Sequence, residues 1–221
     1  MDPRTADLVR AWAVGWAVSR RKPRPTERPW GLYIDVAEPE LAGRHVVERA
    51  DESCIRDACA SVTTGDVWLE VPGPLDEVAE RLPAGWRVDP AESGHLMAAE
   101  LGASAAPAPG GYALTTTEED DVTYVRVLDA TGAVAAHGQL AVVGRTAVVD
   151  RVRTEEAHRR RGLGSLVMRT LTDRALARGA EVGVLGASDA GRALYETLGW
   201  TRHSPLAACA PPPVRPGTDG D

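Results

Sequence analysis

Apolar side chains recur along the chain with two periods, and the switches between them mark out its elements. Leu8, Val9, Trp12 and Trp16, with Ser19, fall at helical intervals over residues 6–20, and the repeated prolines of RRKPRPTERPW end that helix. WGLYIDV and GRHVVER read as strands, DESCIRDACASV as a helix whose Asp51 is placed to cap the first turn, and GDVWLEV as a further strand. PLDEVAERL is a short helix opened by Pro74, and GWRVD and HLMAAEL are extended. The first hundred residues thus read as a mixed α/β unit without a recognisable catalytic motif.

GASAAPAPGG, Gly102 to Gly111, is small, Pro-rich and uncharged, as a linker would be. Beyond it, DVTYVRVLD, GAVAAHGQLAVV and TAVVDRVRT are β-rich runs separated by the turn sequences ATG and GR, which predicts a three-stranded antiparallel meander. The period then changes. Leu163, Leu166, Val167, Leu171 and Ala175 share one helical face, and Gly179 ends the helix. AEVGVLGAS is a continuous apolar strand, DAGRALYETL a short helix followed by Gly199, and WTRHSPL a last extended piece. The tail from Cys209 has too little apolar content to pack. The expected division is an N-terminal α/β module at 1–101, a linker at 102–111, a second domain at 112–208 and a disordered tail at 209–221.

Composition narrows the function. A chain of 221 residues with 43% hydrophobic and 26% charged residues is ordinarily globular, and a net charge of -7 argues against a nucleic-acid binder. Cys54, Cys59 and Cys209 have neither metal-type spacing nor an even number for a disulfide framework, so no metal is expected and a reducing cytoplasm fits best. The apolar run AWAVGWAV is too short to span a membrane and lacks a convincing cleavage site, which predicts a soluble protein with no membrane partner. A single lysine, Lys22, against 24 arginines reflects genome composition more than function.

The chemistry concentrates in EEAHRRRGLGSLVMRTL, Glu155 to Leu171. A strand, a turn rich in glycine and arginine, and a helix start together present free backbone N–H groups and the positive end of the helix dipole to an anion. Gly162 and Gly164 allow close backbone approach, Arg159, Arg160 and Arg161 can add charge-assisted hydrogen bonds, and Ser165 can donate one more. The spacing fits neither the mononucleotide P-loop nor the dinucleotide fingerprint, so a pyrophosphate held in another way is expected.

From about Asp121 to Leu206 the sequence resembles the GNAT N-acetyltransferase superfamily. RVRTEEAHRRRGLGSLVMRTL is similar to its acyl-CoA pyrophosphate motif, and GASDAGRALYETLGW to the segment that carries its usual acid tyrosine. The resemblance implies a mixed α/β (α+β) fold in which helices flank a mostly antiparallel sheet, splayed between two strands to receive acyl-CoA. It implies acetyl-CoA as acyl donor and transfer to a primary amine of a small molecule by direct attack in a ternary complex.

Carried over by position, the backbone of Val152, Arg153 and Thr154 would bond the pantetheine arm. The N–H groups of Arg160, Arg161, Gly162, Leu163, Gly164 and Ser165 would cradle the pyrophosphate, with Arg159 in the first basic position and Arg160 and Arg161 reaching either phosphate or solvent. Tyr195 would return a proton to the CoA thiolate or, as the alternative, only pack. Ser188 replaces an asparagine that contacts pantetheine in many relatives. Asp150, two residues before Val152 and so expected on the same strand face, is a candidate base or a structural aspartate. His137 is a weaker candidate base, the acidic run Glu118 to Asp121 either favours a cationic acceptor or is a solvated turn, and Cys54 and Cys59 read as small core residues.

One departure stands out. The two helices that build the acceptor pocket in most relatives have no room in YALTTTEEDD, so another wall is needed. The N-terminal hundred residues are the natural source, as a degenerate acetyltransferase-like half or an unrelated cap, with Trp30, Tyr33, Trp68 and Trp86 available for a pocket or for a core. A donor such as aminoacyl-tRNA, a non-catalytic acyl-CoA-binding module, and a homodimer remain alternatives at this point.

Overall fold

The helical spacing near the N-terminus becomes α1 (Pro3–Ser19), and Pro23 and Pro25 lie in the loop that follows it. The computed structural model describes residues 3–103 and 107–213; of the expected linker, residues 104–106 lie outside this set, as do residues 214–221 of the expected tail. After α1 come β1 (Thr26–Arg28), β2 (Gly31–Glu38), β3 (Leu41–Val47), α2 (Glu52–Ala60), β4 (Val67–Pro72), α3 (Leu75–Arg81) and β5 (Arg87–Glu100). The second half contains β6 (Ala113–Glu119), β7 (Val122–Leu128), β8 (Val134–Val143), β9 (Thr146–Thr154), α4 (Leu163–Ala177), β10 (Val182–Ala187), α5 (Asp189–Thr197) and β11 (Thr201–Ala210). Among the described residues no helix is long and apolar enough to cross a membrane.

All eleven strands form one sheet in the order β1-β2-β3-β4-β11-β5-β10-β9-β8-β7-β6. Two neighbouring pairs are parallel, β3 with β4 and β9 with β10, each joined by a crossover helix, α2 and α4. The run β3-α2-β4-α3-β5 therefore repeats as β9-α4-β10-α5-β11. The last strands of the two runs are exchanged. β4 pairs with β11 and β10 with β5, while β5 and β11 pair with each other at the centre. The two halves thus share one order of strands and helices within a single continuous sheet.

Three apolar clusters cover this sheet. On one face Val9, Trp12, Ala13, Trp16 and Ala17 of α1 pack on Leu32, Ile34 and Val46 from the first half and on Val148 and Val184 from the second. The opposite face holds α4 and α5 over the second half, around Leu166, Leu171, Met97 and Leu185, and α2 and α3 over the first, around Ile55, Val78, Leu69 and Cys209. Burial pushes the Cys59 thiol up to about 12, as suits the small core residue expected there.

Several local expectations need correction. Asp51 occupies the N-cap position of α2 but makes no side-chain cap bond, because its carboxylate lies 3.3 Å from Arg49 Nε. Pro74 is itself the N-cap of α3 rather than a residue inside it. GWRVD and HLMAAEL belong to one strand, β5, which carries a bulge: its register advances from Gly94 to Asp89 while β11 moves only from Leu206 to Ala208. Ser93 holds this loop-out, its hydroxyl donating to the Asp89 carbonyl at 2.6 Å and accepting from Ala208 N–H at 3.0 Å. The tail does not begin at Cys209, since β11 continues through Ala210 and Cys209 is fully buried between β4 and β5.

α1 approaches the sheet through Gly15, where an added Cβ would lie 2.2 Å from Val148 Cγ2 and 2.6 Å from Val148 Cβ. Valine is stiff at χ1 and Val148 is buried, so the contact cannot relax cheaply. Gly15→Ala is expected to lower unfolding free energy by about 1–3 kcal/mol in urea titration. An unchanged midpoint would contradict this docking.

Candidate active site

The parallel pair β9 and β10 stays together only from Thr146–Val148 against Val182–Val184. Beyond those residues β9 remains paired with β8 out to Thr154, and β10 with β5 out to Ala187, so the strands part and one edge of β9 is left free. A bulge in β9 accompanies the parting. His137 and Gln139 of β8 face Arg153 and Asp150, which leaves an extra residue on β9, and Arg151 takes φ 53°. The extra residue reverses the face of everything after it. Val152 packs towards α4, whereas Asp150 meets Arg20 from α1 on the other side. The expectation that the two share a face is thus overturned.

Past β9 the chain makes one 3-10 turn, Glu156–His158, and enters α4 through Gly162. The last backbone donors satisfied before the helix are His158 and Arg159, and the first satisfied within it is Leu166. Among the described residues no carbonyl accepts from the six N–H groups of Arg160 through Ser165. The two glycines differ in what they do. Gly162 has φ +78° with nothing near its Cβ position, so it supplies a left-handed turn, while a Cβ on Gly164 would sit 3.0 Å from Leu194 of α5. Of the arginines, Arg159 Nε lies 3.4 Å from the Thr154 carbonyl and Arg161 Nη1 donates to Tyr112 Oη at 3.1 Å. Tyr112 Oη is also 3.0 Å from His158 Nδ1, tying the turn down. Tyr112 carried no signal in the sequence.

Tyr195 projects from α5 into the core between α4 and the sheet, with its ring centroid 6.3 Å from that of Trp200. Burial first, and then the Asp150 carboxylate, push its hydroxyl up to about 12, so it stays protonated at neutral pH. Ser188 is the N-cap of α5. Its Oγ accepts from Gly191 N–H at 3.2 Å, which leaves its O–H free to donate.

On the α1 face, where β9 and β10 part, lies a cavity of ≈ 230 Å³. Its walls are Trp12, Trp16 and Arg20 of α1 and the bulge residues Ala91 to Ser93, and its floor crosses the sheet from Asp150 and Gly186 to Glu70 and Arg44. Both carboxylate oxygens of Asp150 accept from Arg20, at 2.8 and 3.1 Å, and the guanidinium lies 4.3 Å above the Trp16 ring. Arg44 pairs with Glu70 at 2.7 Å at the far end. Burial raises the Glu70 carboxyl, Arg44 opposes the shift and Glu92 adds to it. His95, absent from the sequence reading, borders this cavity on β5, while its ring is turned to the α5 face with Nε2 2.7 Å from Asp189 Oδ1.

Other candidates lie elsewhere. Trp30, just before β2, and Trp86, just before β5, pack with α2 and α3, Tyr33 on β2 leans on His45, and Trp68 on β4 lines a neighbouring hollow, so none of the four lines the cavity. His137 lies between Arg126 and Arg153 of adjacent strands, outside the cavity lining, and burial lowers its pKa. In the acidic run, Glu119 lies 2.6 Å and Asp120 3.7 Å from Arg21, so these two side chains tether the end of α1.

This geometry meets a direct comparison. The model of the acetyltransferase (GNAT) family matches residues 86–200, just over half of the chain. The chain belongs to the GNAT family. No curated protein matches its sequence. A GCN5-related N-acetyltransferase from Kribbella flavida superposes with a TM-score of 0.68 at 20% identity, covering 96% of this chain and 97% of that one. The tandem GNAT protein from the clavulanic acid biosynthesis pathway gives 0.57 at 13% identity, with coverage of 98% and 97%. A GCN5-related N-acetyltransferase from Sphaerobacter thermophilus gives 0.53 at 15%, covering 76% and 67%. At these identities the likeness is one of fold.

In this GNAT chain the two helix starts that follow the first strands of the parallel pairs differ in glycine content, charge and helix length. The equivalent connection in the first half, Glu48 to Asp51, has no glycine, places Asp51 at the N-cap and Glu52 in the first turn, and leads into a helix of 9 residues against 15 for α4. Two carboxylates at a helix start oppose a phosphate. Calorimetric titration with acetyl-CoA is expected to saturate at one molecule per chain; two equivalents would contradict the asymmetry.

Proposed function

We propose that this acetyltransferase-family protein moves an acetyl group from acetyl-CoA to a primary amine of a small molecule, by direct attack within a ternary complex. The observation that carries this reading is the junction at the parted strands. A run of free N–H groups and a free strand edge lie on one side, a walled cavity lies on the other, and the two meet between Asp150 and Ser188. The donor side suits a long ligand with a pyrophosphate. Six unpaired N–H groups at a helix start favour an anion, and the free edge of Val152 to Thr154 favours an amide-bearing arm in a strand-like pose.

We assign Tyr195 as the acid that returns a proton to the leaving thiolate, since its buried hydroxyl stays protonated at neutral pH. Asp150 is assigned a holding role in place of the base considered for it. Both of its oxygens are engaged by Arg20, so it fastens the end of α1 beside the opening. Ser188 can donate its O–H to the acyl-CoA arm while capping α5, and Arg159, Arg160 and Arg161 strengthen phosphate binding from the exposed side of the turn. Three free cysteines fit a protein working in a reducing cytoplasm.

A thiol-release screen with acetyl-CoA against small primary amines tests the activity. In that assay Tyr195→Phe is expected to lower kcat by about 100-fold while the acetyl-CoA Kd changes little. Unchanged turnover, or loss of acetyl-CoA binding in a folded variant, would contradict the acid role.

A further inference from the structure

We infer that the acceptor amine carries an anionic group, phosphate or carboxylate, which Arg126, Arg151 and Arg153 hold beside the mouth of the cavity. This deepens the amine-acetylation reading above and rests on it. Two rows of side chains cross the sheet where α1 ends. In the first, Tyr124 of β7, Gln139 of β8 and Asp150 of β9 stand opposite one another. The end of α1 covers all three. Arg21 lies 5.8 Å over the Tyr124 ring, the Gln139 amide donates to the Ser19 carbonyl at 2.6 Å, and Arg20 holds both oxygens of Asp150. The second row, about 7 Å further along the strands, consists of Arg126, His137 and Arg153. Side chains two apart on a strand share a face, so Arg126 and His137 follow Tyr124 and Gln139 onto the α1 side. Gly138 meanwhile faces Val167 and Leu171 of α4. Both arginines of the second row are exposed, as is Arg151, the extra residue of the β9 bulge.

Charge in this row is unbalanced. Among the described residues the guanidiniums of Arg126 and Arg151 have no ion pair or hydrogen bond, and Arg153 lies 3.4 Å from Glu155. Three cations thus face one carboxylate in a chain of net charge -7. Like charges on neighbouring strands destabilise a sheet, a cost that a bound anion offsets. His137 lies between the arginines and adds no charge near neutral pH: burial lowers its pKa most, Glu155 opposes this, and Arg153, Arg126 and Arg151 lower it further. Guanidinium forks on either side of a neutral imidazole suit a phosphate or carboxylate, which accepts from all of them.

The anion held here is not the pyrophosphate of the donor. The turn from Arg160 to Ser165 opens α4, whose Leu163 packs on the opposite face of the sheet. What links the patch to the acceptor is Asp150, which belongs to the covered row and also lines the cavity. A ligand that reaches from the patch past Asp150 brings its amine to the parted strands.

Thiol release with two matched series tests this: ω-aminoalkyl phosphates against amino alcohols of the same length, and ω-amino acids against their amides. In the wild type at least one anionic series is expected to exceed its neutral counterpart in kcat/KM by about 10-fold. Which series does so distinguishes phosphate from carboxylate. Arg126→Gln, at an exposed position outside the cavity lining, is expected to remove the preference by raising KM for the anionic members, and Arg126→Glu to reverse it. A wild type that releases thiol but treats charged and neutral members alike overturns this inference alone, as does an Arg126→Gln protein that keeps the preference. An Arg126→Gln protein that unfolds cooperatively but loses acetyl-CoA affinity also overturns it, since the patch would then serve the donor. A wild type that releases thiol with no amine overturns the functional reading and this inference with it.

Discussion

The pairing of β5 with β11 at the centre of the sheet is the constraint on which the remaining structure depends. Each strand ends one half of the chain, yet each is inserted beside the other half's parallel pair, so β4 borrows β11 and β10 borrows β5. Backbone hydrogen bonds of the second half are therefore completed by the first, and a buried strand without its neighbour would leave a row of unpaired N–H and C=O groups. The exchange also shapes the cavity border. It sets His95 opposite Ala187 at the end of β10 and carries the Ala91–Ser93 bulge over the cavity.

α1 acts across the same junction. Its apolar face packs on strands of both halves, and its C-terminal arginine clamps Asp150 beside the opening while stacking on Trp16. In a chain with no room for helices between β6 and β7, this helix and the β5 bulge wall the cavity beside the parted strands. The two halves differ in charge and backbone geometry at these helix starts. The second half presents glycine and free N–H groups at the start of α4, and the first half presents Asp51 and Glu52 at the start of α2.

What the sequence made legible was local. Helical spacing in Leu163 to Ala175, turn residues between the meander strands, and the order of strand, glycine-rich turn and helix all survive in the structure, because each depends on neighbours in the chain. The features missed depend on distant partners or on one inserted residue. Nothing in VVDRVRT marks Arg151 as the bulge, yet that residue moves Val152 to the opposite face from Asp150. His95 meets Asp189 only through strand exchange, 94 positions along the chain. Trp12 and Trp16 were legible by their helical spacing; in the structure they pack in the core and also line the cavity. Trp30, Tyr33, Trp68 and Trp86 were equally plausible by residue type, and none of them lines this cavity.

Separating the chain between Gly102 and Gly111 tests the strand exchange most directly. The two pieces are expressed as independent chains, and each is followed by urea unfolding and acetyl-CoA binding, alone and after mixing. Neither piece alone is expected to show a cooperative transition or acetyl-CoA binding, and both are expected to return on mixing, since each piece supplies a central strand to the other. A C-terminal piece that unfolds cooperatively and binds acetyl-CoA by itself would contradict it.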